Sequence, residues 1–276
     1  RWNHPVDGLV YPDSFLSLIE HDASFMIELG HWVFETAFSQ LESWHLEGLD
    51  VNLSINVSSH EIKQKNFSSY LKELLAKHPA IKPNMLEIEI LETSALDNFE
   101  LTSNTLSKCQ ELGISIAIDD FGTGYASLHY LKTLPMNTLK IDKSFVIDML
   151  TTSQNLSIIE ASIGLAHAFN SHVIAEGVES EEHGKVLLQL GCEIAQGYVI
   201  SKAMPAENVI EWINSWKGFS SWETKKPINA DSRTVLHAAI EHYNWINSIE
   251  NFLQNKTSEL PQLDSSLCYL GNWLLH

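Results

Sequence analysis

Asp119 and Asp120 stand side by side at the end of an apolar run and open the string Asp-Asp-Phe-Gly-Thr-Gly-Tyr-Ala-Ser, which ends at Ser127. Adjacent carboxylates repel each other unless something positive lies between them. Each can serve one ion of a pair held about 3.5–4 Å apart, the geometry of two-metal hydrolysis. Gly122 and Gly124 let the backbone that follows turn tightly and move. For a bare pair, a surface turn ahead of a glycine-rich loop would be the better reading. Further acids at the ends of other apolar runs reverse that preference.

Glu89 lies in Leu86-Glu87-Ile88-Glu89-Ile90-Leu91-Glu92, where alternation sets Glu87 and Glu89 on one face. An acid pointing into a core is expensive unless it binds metal; outward pairing with Lys or Arg is the alternative. Glu92, just past the run, can anchor the loop 121–127 by hydrogen bonds. Asn56 ends another run, and its amide oxygen suits either a hard cation or a turn cap. Lys140, in Leu-Lys-Ile-Asp, is a lone amine among acids. It can neutralise them, orient a water or stabilise a phosphoryl oxyanion, with a structural salt bridge as the competitor. Glu176 and Glu179 flank Gly177, the first suited to metal and the second to holding a neighbour or a water. Gln196, before Gly197 and Tyr198, adds one more amide. The 13 histidines are scattered and read mostly as surface or packing residues.

These residues need elements that deliver them to one place. Runs rich in Val and Ile predict strands over 51–58, 85–91, 115–121, 138–142, 173–178 and 194–200. Three- and four-residue apolar spacing predicts helices around 25–44, 61–77, 101–112, 153–169 and 181–190. Gly113, Pro135 and Gly191 punctuate the turns. The alternation predicts an α/β fold with a parallel sheet and helices outside it. In a (β/α) barrel the C-terminal strand ends face one mouth, where chemistry sits; a doubly wound open sheet would gather them along a crevice instead. After Pro205 the pattern changes to a last barrel helix over 207–216, a linker over 217–231 and helices over 232–253 and 263–275.

With 276 residues, 44% hydrophobic, and a mean hydropathy of −0.07, the chain can bury one large core. Its 35 acidic against 17 basic residues give a net charge of −18, which excludes polymeric nucleic acid as a partner but not a small phosphate ligand met through cations. Cys109, Cys192 and Cys268 form no CxxC pair, as expected of a reducing, cytoplasmic setting. The start of the chain lacks a signal peptide pattern, and no apolar run reaches the roughly 20 residues of a membrane span, so no membrane contact is expected.

Taken together, Asp-Asp-Phe-Gly-Thr-Gly-Tyr, Leu-Lys-Ile-Asp, Ile-Ala-Glu-Gly-Val-Glu and Gln-Gly-Tyr followed by Ser201-Lys202 closely resemble the EAL domain of bacterial cyclic di-GMP phosphodiesterases, from Arg1 to about Trp216. The resemblance implies a TIM-like barrel that hydrolyses cyclic di-GMP to linear pGpG with two Mg²⁺ or Mn²⁺ ions. It matches Asn56, Glu89, Asp119, Asp120 and Glu176 to metal ligands and Lys140, Glu179 and Gln196 to residues around the nucleophilic water. It matches Glu92 to the acid that steadies the loop, and Arg1 to the arginine on the substrate phosphate. Because the loop joins dimer contacts in the family, it also implies a homodimer. An inactive EAL domain acting as a cyclic di-GMP receptor is the alternative, and the filled ligand positions favour the enzyme.

Leu91 stands for a usual Thr and Ala203 for a usual Pro; neither removes a ligand. The family's Glu-Ala-Leu-Leu motif should stand just before Arg1, with a metal-binding Glu and the first two strands. The chain is therefore expected to be cut at both ends, lacking those strands, and to be inactive and poorly stable alone. In the tail, His242-Tyr-Asn-Trp and Cys268-Tyr-Leu-Gly-Asn-Trp look like the start of a chemoreceptor zinc-binding domain. That resemblance implies two of four Zn²⁺ ligands, His242 and Cys268, with two packed helices around a buried Cys as the alternative. The expected organisation is a barrel over 1–216, a linker over 217–231 and a partial zinc-binding domain over 232–276.

Overall fold

The computed structural model describes residues 1–124, 128–223, 227–254, 256–258, 260 and 261. Cys268, the expected helix over 263–275 and the last three residues of the loop 121–127 lie outside them. The chain divides into two compact units, residues 1–119 with 124–137 and residues 120–123 with 138–276.

The first unit opens with a short antiparallel hairpin, β1 (Trp2–His4) and β2 (Gly8–Val10), then α1 (Pro12–Ile19). Helix α2 (Ala23–Leu46) is capped by Asp22, which accepts from the Phe25 amide, and buries Gly30, Phe34, Phe38, Leu41 and Trp44 along one stripe. It leads to β3 (Leu53–Asn56). The single helix expected over 61–77 is two, α3 (Ser59–Ile62) and α4 (Phe67–Lys77). The polar stretch Lys63-Gln-Lys-Asn66 offers no apolar residue to carry a packed face across the gap. Ser58 and Glu61 form a reciprocal capping box on α3. The Glu61 carboxylate is thereby buried against Gly30, where an added Cβ would lie 1.8 Å from Oε1. Gly30→Ala should therefore destabilise the protein by about 1–3 kcal/mol through overpacking, despite alanine's better helix propensity. Urea unfolding checks it, and an unchanged midpoint would refute the contact.

Strand β4 (Leu86–Leu91) follows, then α5 (Glu92–Leu96), α6 (Phe99–Glu111), β5 (Ser115–Phe121) and α7 (Leu128–Thr133). β3, β4 and β5 pair in parallel, with Asn56 opposite Glu89 and Leu91 opposite Asp119. Ile88, Ile90, Ile116 and Ile118 fill the core, and Glu89 on the other face of β4 is buried too. Both faces of a parallel sheet are covered, so strict apolar–polar alternation is lost.

The second unit continues with β6 (Thr138–Ile141), α8 (Lys143–Ile147), α9 (Ser153–Ala168), β7 (His172–Ala175), α10 (Glu181–Leu190) and β8 (Ile194–Ala195). β6, β7 and β8 are parallel, with Lys140 opposite Ile174 and Ala175 opposite Ala195. Leu139, Ile141, Val173 and Ala175 join Val146, Ile159, Ile163 and Leu187 in one core. The strand expected over 194–200 stops after two residues. Gly197 turns the chain against the Val178 backbone, where a Cβ would lie 2.1 Å from the carbonyl oxygen. Within each unit the strands pair in chain order, β3-β4-β5 in the first and β6-β7-β8 in the second. Parallel strands paired in chain order with helices between them are the (β/α) repeat expected of the α/β fold.

Helix α11 (Val209–Ser215) matches the expected last barrel helix. The expected linker contains α12 (Ser220–Glu223). There the Trp222 Nε1 donates to the Glu181 carbonyl at 2.9 Å, and its ring covers Gly184. Helix α13 (Ala230–Leu253) packs within this unit, burying Ala238 and Ile240, with His237 Nε2 3.0 Å from Glu160 Oε2. No described helix is long and apolar enough to cross a membrane. Cys109 and Cys192 are buried free thiols, which burial pushes up to about 12 and about 11.

Candidate active site

Strand register brings the first unit's polar residues together. Asn56 and Glu89 are neighbours across β3 and β4, and Asp119 sits one strand further, beside Leu91. Asn56 is exposed, whereas Glu89 and Asp119 are buried. Glu92 opens α5 and is only 3% exposed. The Gly124 amide donates to its Oε2 at 3.4 Å. A Cβ on Gly124 would lie 2.6 Å from Glu92 Oε1, so a side chain there would displace the carboxylate. Arg1 is exposed, its guanidinium 4.2 Å above the Tyr11 ring.

In the second unit, Asp120 holds a left-handed conformation with φ +53°, rare for a non-glycine residue and typical of functional turns. Lys140 is 2% exposed, and its Nζ lies 2.6 Å from Glu176 Oε1. The same oxygen accepts from Gln196 Nε2 at 2.6 Å. One carboxylate thus gathers an ammonium and an amide from the ends of neighbouring strands. Glu179 is exposed, with its backbone amide donating to His183 Nδ1 at 3.3 Å. Burial pushes the His183 imidazole below its ordinary range, against the pull of Glu179, the Ile147 carbonyl and Asp148.

Within the second unit, carboxylate oxygens of Asp120 and Glu176 lie within 4.8 Å of each other, and Asp119 directly precedes Asp120 in the chain. Such proximity is unfavourable for two bare anions and suits a cation. The donors are hard oxygens, which fit Mg²⁺ or Mn²⁺ better than a soft metal. Asp142, two residues beyond Lys140, hydrogen-bonds Asp120 and was given no role by sequence. It caps α8, accepting from the Ser144 amide at 3.0 Å and from the Ser144 hydroxyl. Burial raises its carboxyl, but these bonds, a side-chain hydrogen bond with Asp120 and one from the Lys143 backbone hold it below the ordinary range. Its two-residue spacing from Lys140 was the available signal, since alternate strand residues share a face. Of the expected zinc ligands, His242 is exposed and stacked on Trp245, with ring centroids 5.7 Å apart.

The EAL domain family model matches residues 1–203. The signaling protein YkoW of Bacillus subtilis is 36% identical over 207 residues, covering 75% of this chain and 26% of that protein. The cyclic di-GMP phosphodiesterase NbdA of Pseudomonas aeruginosa is 34% identical over 219 residues, covering 79% of this chain and 28% of that protein. The chain thus spans well under half the length of these curated relatives. Among solved structures, a c-di-GMP complex of the PaMucR phosphodiesterase superposes with a TM-score of 0.72 at 35% identity, covering 76% of this chain and 84% of that one. The EAL enzyme Bd1971, with cAMP and cyclic di-GMP bound, also gives a TM-score of 0.72 at 35% identity, covering 77% and 58%. With the family model spanning residues 1–203, most of its length, the chain belongs to the EAL domain family.

Proposed function

We propose that the chain carries out metal-dependent hydrolysis of cyclic di-GMP to linear pGpG in bacterial second-messenger signalling. The observation that carries this reading is the meeting of Asp120 and Glu176 oxygens within 4.8 Å, with Lys140 and Gln196 both on Glu176. Asn56, Glu89, Asp119, Asp120 and Glu176 would hold two Mg²⁺ or Mn²⁺ ions. When bound, such ions polarise a phosphodiester and lower the pKa of water. Lys140 fixes the Glu176 carboxylate and puts positive charge beside the reacting phosphoryl oxygens. The Gln196 amide sets the rotamer of the same carboxylate. Glu179 accepts a hydrogen bond from the attacking water, and Arg1 pairs with the substrate phosphate. The test is chromatography of cyclic di-GMP incubated with the full-length natural protein and Mn²⁺, with and without chelator. Chelator-sensitive pGpG supports the reading; intact cyclic di-GMP in both samples overturns it.

Glu92 reaches the glycine loop from its buried place on α5. Glu92→Ala should therefore lower turnover by about 10–100-fold, as for groups that support metal ligands, and weaken cyclic di-GMP binding less. Normal turnover in that variant would count against the anchor. The protein would act as a cytoplasmic homodimer, with the loop 121–127 near the dimer contact. Its organisation would be a barrel over 1–216, a linker over 217–231 and a regulatory zinc-binding segment over 232–276, with His242 and Cys268 as ligands. Zinc titration of the full-length natural protein against Cys268→Ala tests that segment. Tighter zinc binding with Cys268 present is expected, and equal affinity would remove the site.

A further inference from the structure

We propose that the second unit binds a small oxyanion, a phosphate or carboxylate group, in a cavity at the N-terminal ends of β7 and β8. The cavity holds about 360 Å³ and is walled by His167, His172, Glu193 and Arg233. Val173, Leu190 and Ile194 give it an apolar floor. His172 and Ile194 are the first residues of their strands, whereas Glu176 and Gln196 follow the other ends. The cavity therefore belongs to a different edge of β7 and β8 from the candidate active site.

Arg233 decides the ligand class. It enters from the first turn of α13, and its Nε is buried without a hydrogen-bond acceptor among the described residues. A guanidinium presents its donors as a planar fork that fits carboxylate and phosphate two bonds at a time. Of the floor residues, Val173 and Leu190 are buried, which strengthens a charge-assisted bond beside them. His167 and His172 add ring nitrogens able to donate to an anion. Glu193 opposes one, and it limits the affinity. A purely structural role would have Arg233 complement the carbonyl ends of α9 and α10, which also lie at this edge. That role would leave the buried Nε without an acceptor among the described residues, a cost that a bound oxyanion removes. A bound oxyanion would fasten the first turn of α13 to the two strands.

The experiment is calorimetric titration of the full-length natural protein, in chelator and without cyclic di-GMP, with sodium phosphate, sodium succinate and, at matched ionic strength, sodium chloride. Saturable binding of phosphate or succinate is expected, and the stronger of the two assigns the group. Arg233→Gln should lose about tenfold or more in affinity. Glu193→Gln should gain roughly two- to fivefold, so the proposal stays testable if the arginine variant folds poorly. No saturable binding beyond chloride, or affinity unchanged in both variants, would overturn it. Neither residue belongs to the proposed hydrolytic machinery, so the outcome is independent of that reading.

Discussion

Asp119→Asn is expected to lower Mn²⁺-dependent cyclic di-GMP hydrolysis by about 10³-fold or more, the scale of several kcal/mol of metal-derived transition-state stabilisation. Asparagine keeps the shape of a buried residue at the last β4–β5 pair and removes only its charge. The metal-free variant should be at least as stable as the wild type, because a buried charge on the strand beside the buried Glu89 is gone. Its melting temperature should also rise less on adding Mn²⁺, since ligand-linked stabilisation follows affinity for the folded state. Full hydrolysis in a folded Asp119→Asn protein would remove the metal assignment. A collapse of the fold without metal would show instead that the carboxylate is structural.

Lys140→Met should act on both stability and rate. The ammonium is almost fully buried, and its partner Glu176 is only 13% exposed. Removing one partner of a buried pair costs about 3–5 kcal/mol, because the remaining charge stays desolvated. Methionine fills the stem's volume, so packing changes little. Without metal, urea unfolding should show a loss of that order; Mn²⁺ should recover part of it by supplying positive charge to Glu176. Hydrolysis at saturating Mn²⁺, where the variant is folded, should still fall by about 100-fold or more if the ammonium stabilises the reacting oxyanion. A destabilised variant with the wild-type rate would make the pair a salt bridge only, the competing reading of Lys140. Lys140→Arg should not restore the rate, since a guanidinium is larger and differently shaped than the ammonium site.

The residues that could be read in the sequence are those whose structure is set locally. Helix α10 runs over 181–190 as expected, because Ser180 caps its start and Gly191 takes the left-handed C-terminal position with φ +96°. Strand β5 spans 115–121 as expected, its Ile-Ala-Ile run buried throughout. The hairpin β1–β2 was not legible: its three-residue strands are mostly exposed and carry no period to read. The end of β8 was missed because the cause lies in another segment, the Val178 backbone pressed against Gly197. The candidate site divides the same way. Spacing named Asp119, Asp120, Lys140 and Glu176, but the sharing of one Glu176 oxygen between Lys140 and Gln196 is a tertiary contact. Asp142 was visible only as a polar residue at a strand end, since its tie to Asp120 crosses between β5 and the start of α8.

The most direct test separates hydrolysis from mere binding in one sample. The full-length natural protein, stripped with chelator, is saturated with cyclic di-GMP and freed of excess ligand; Mn²⁺ is then added and the nucleotide followed by chromatography. Bound cyclic di-GMP should be converted to pGpG after Mn²⁺ addition, and the Asp120→Asn protein should bind the ligand but leave it intact. Cyclic di-GMP that stays bound and uncleaved by the wild-type protein with Mn²⁺ present would contradict the proposed hydrolysis and make the chain a receptor.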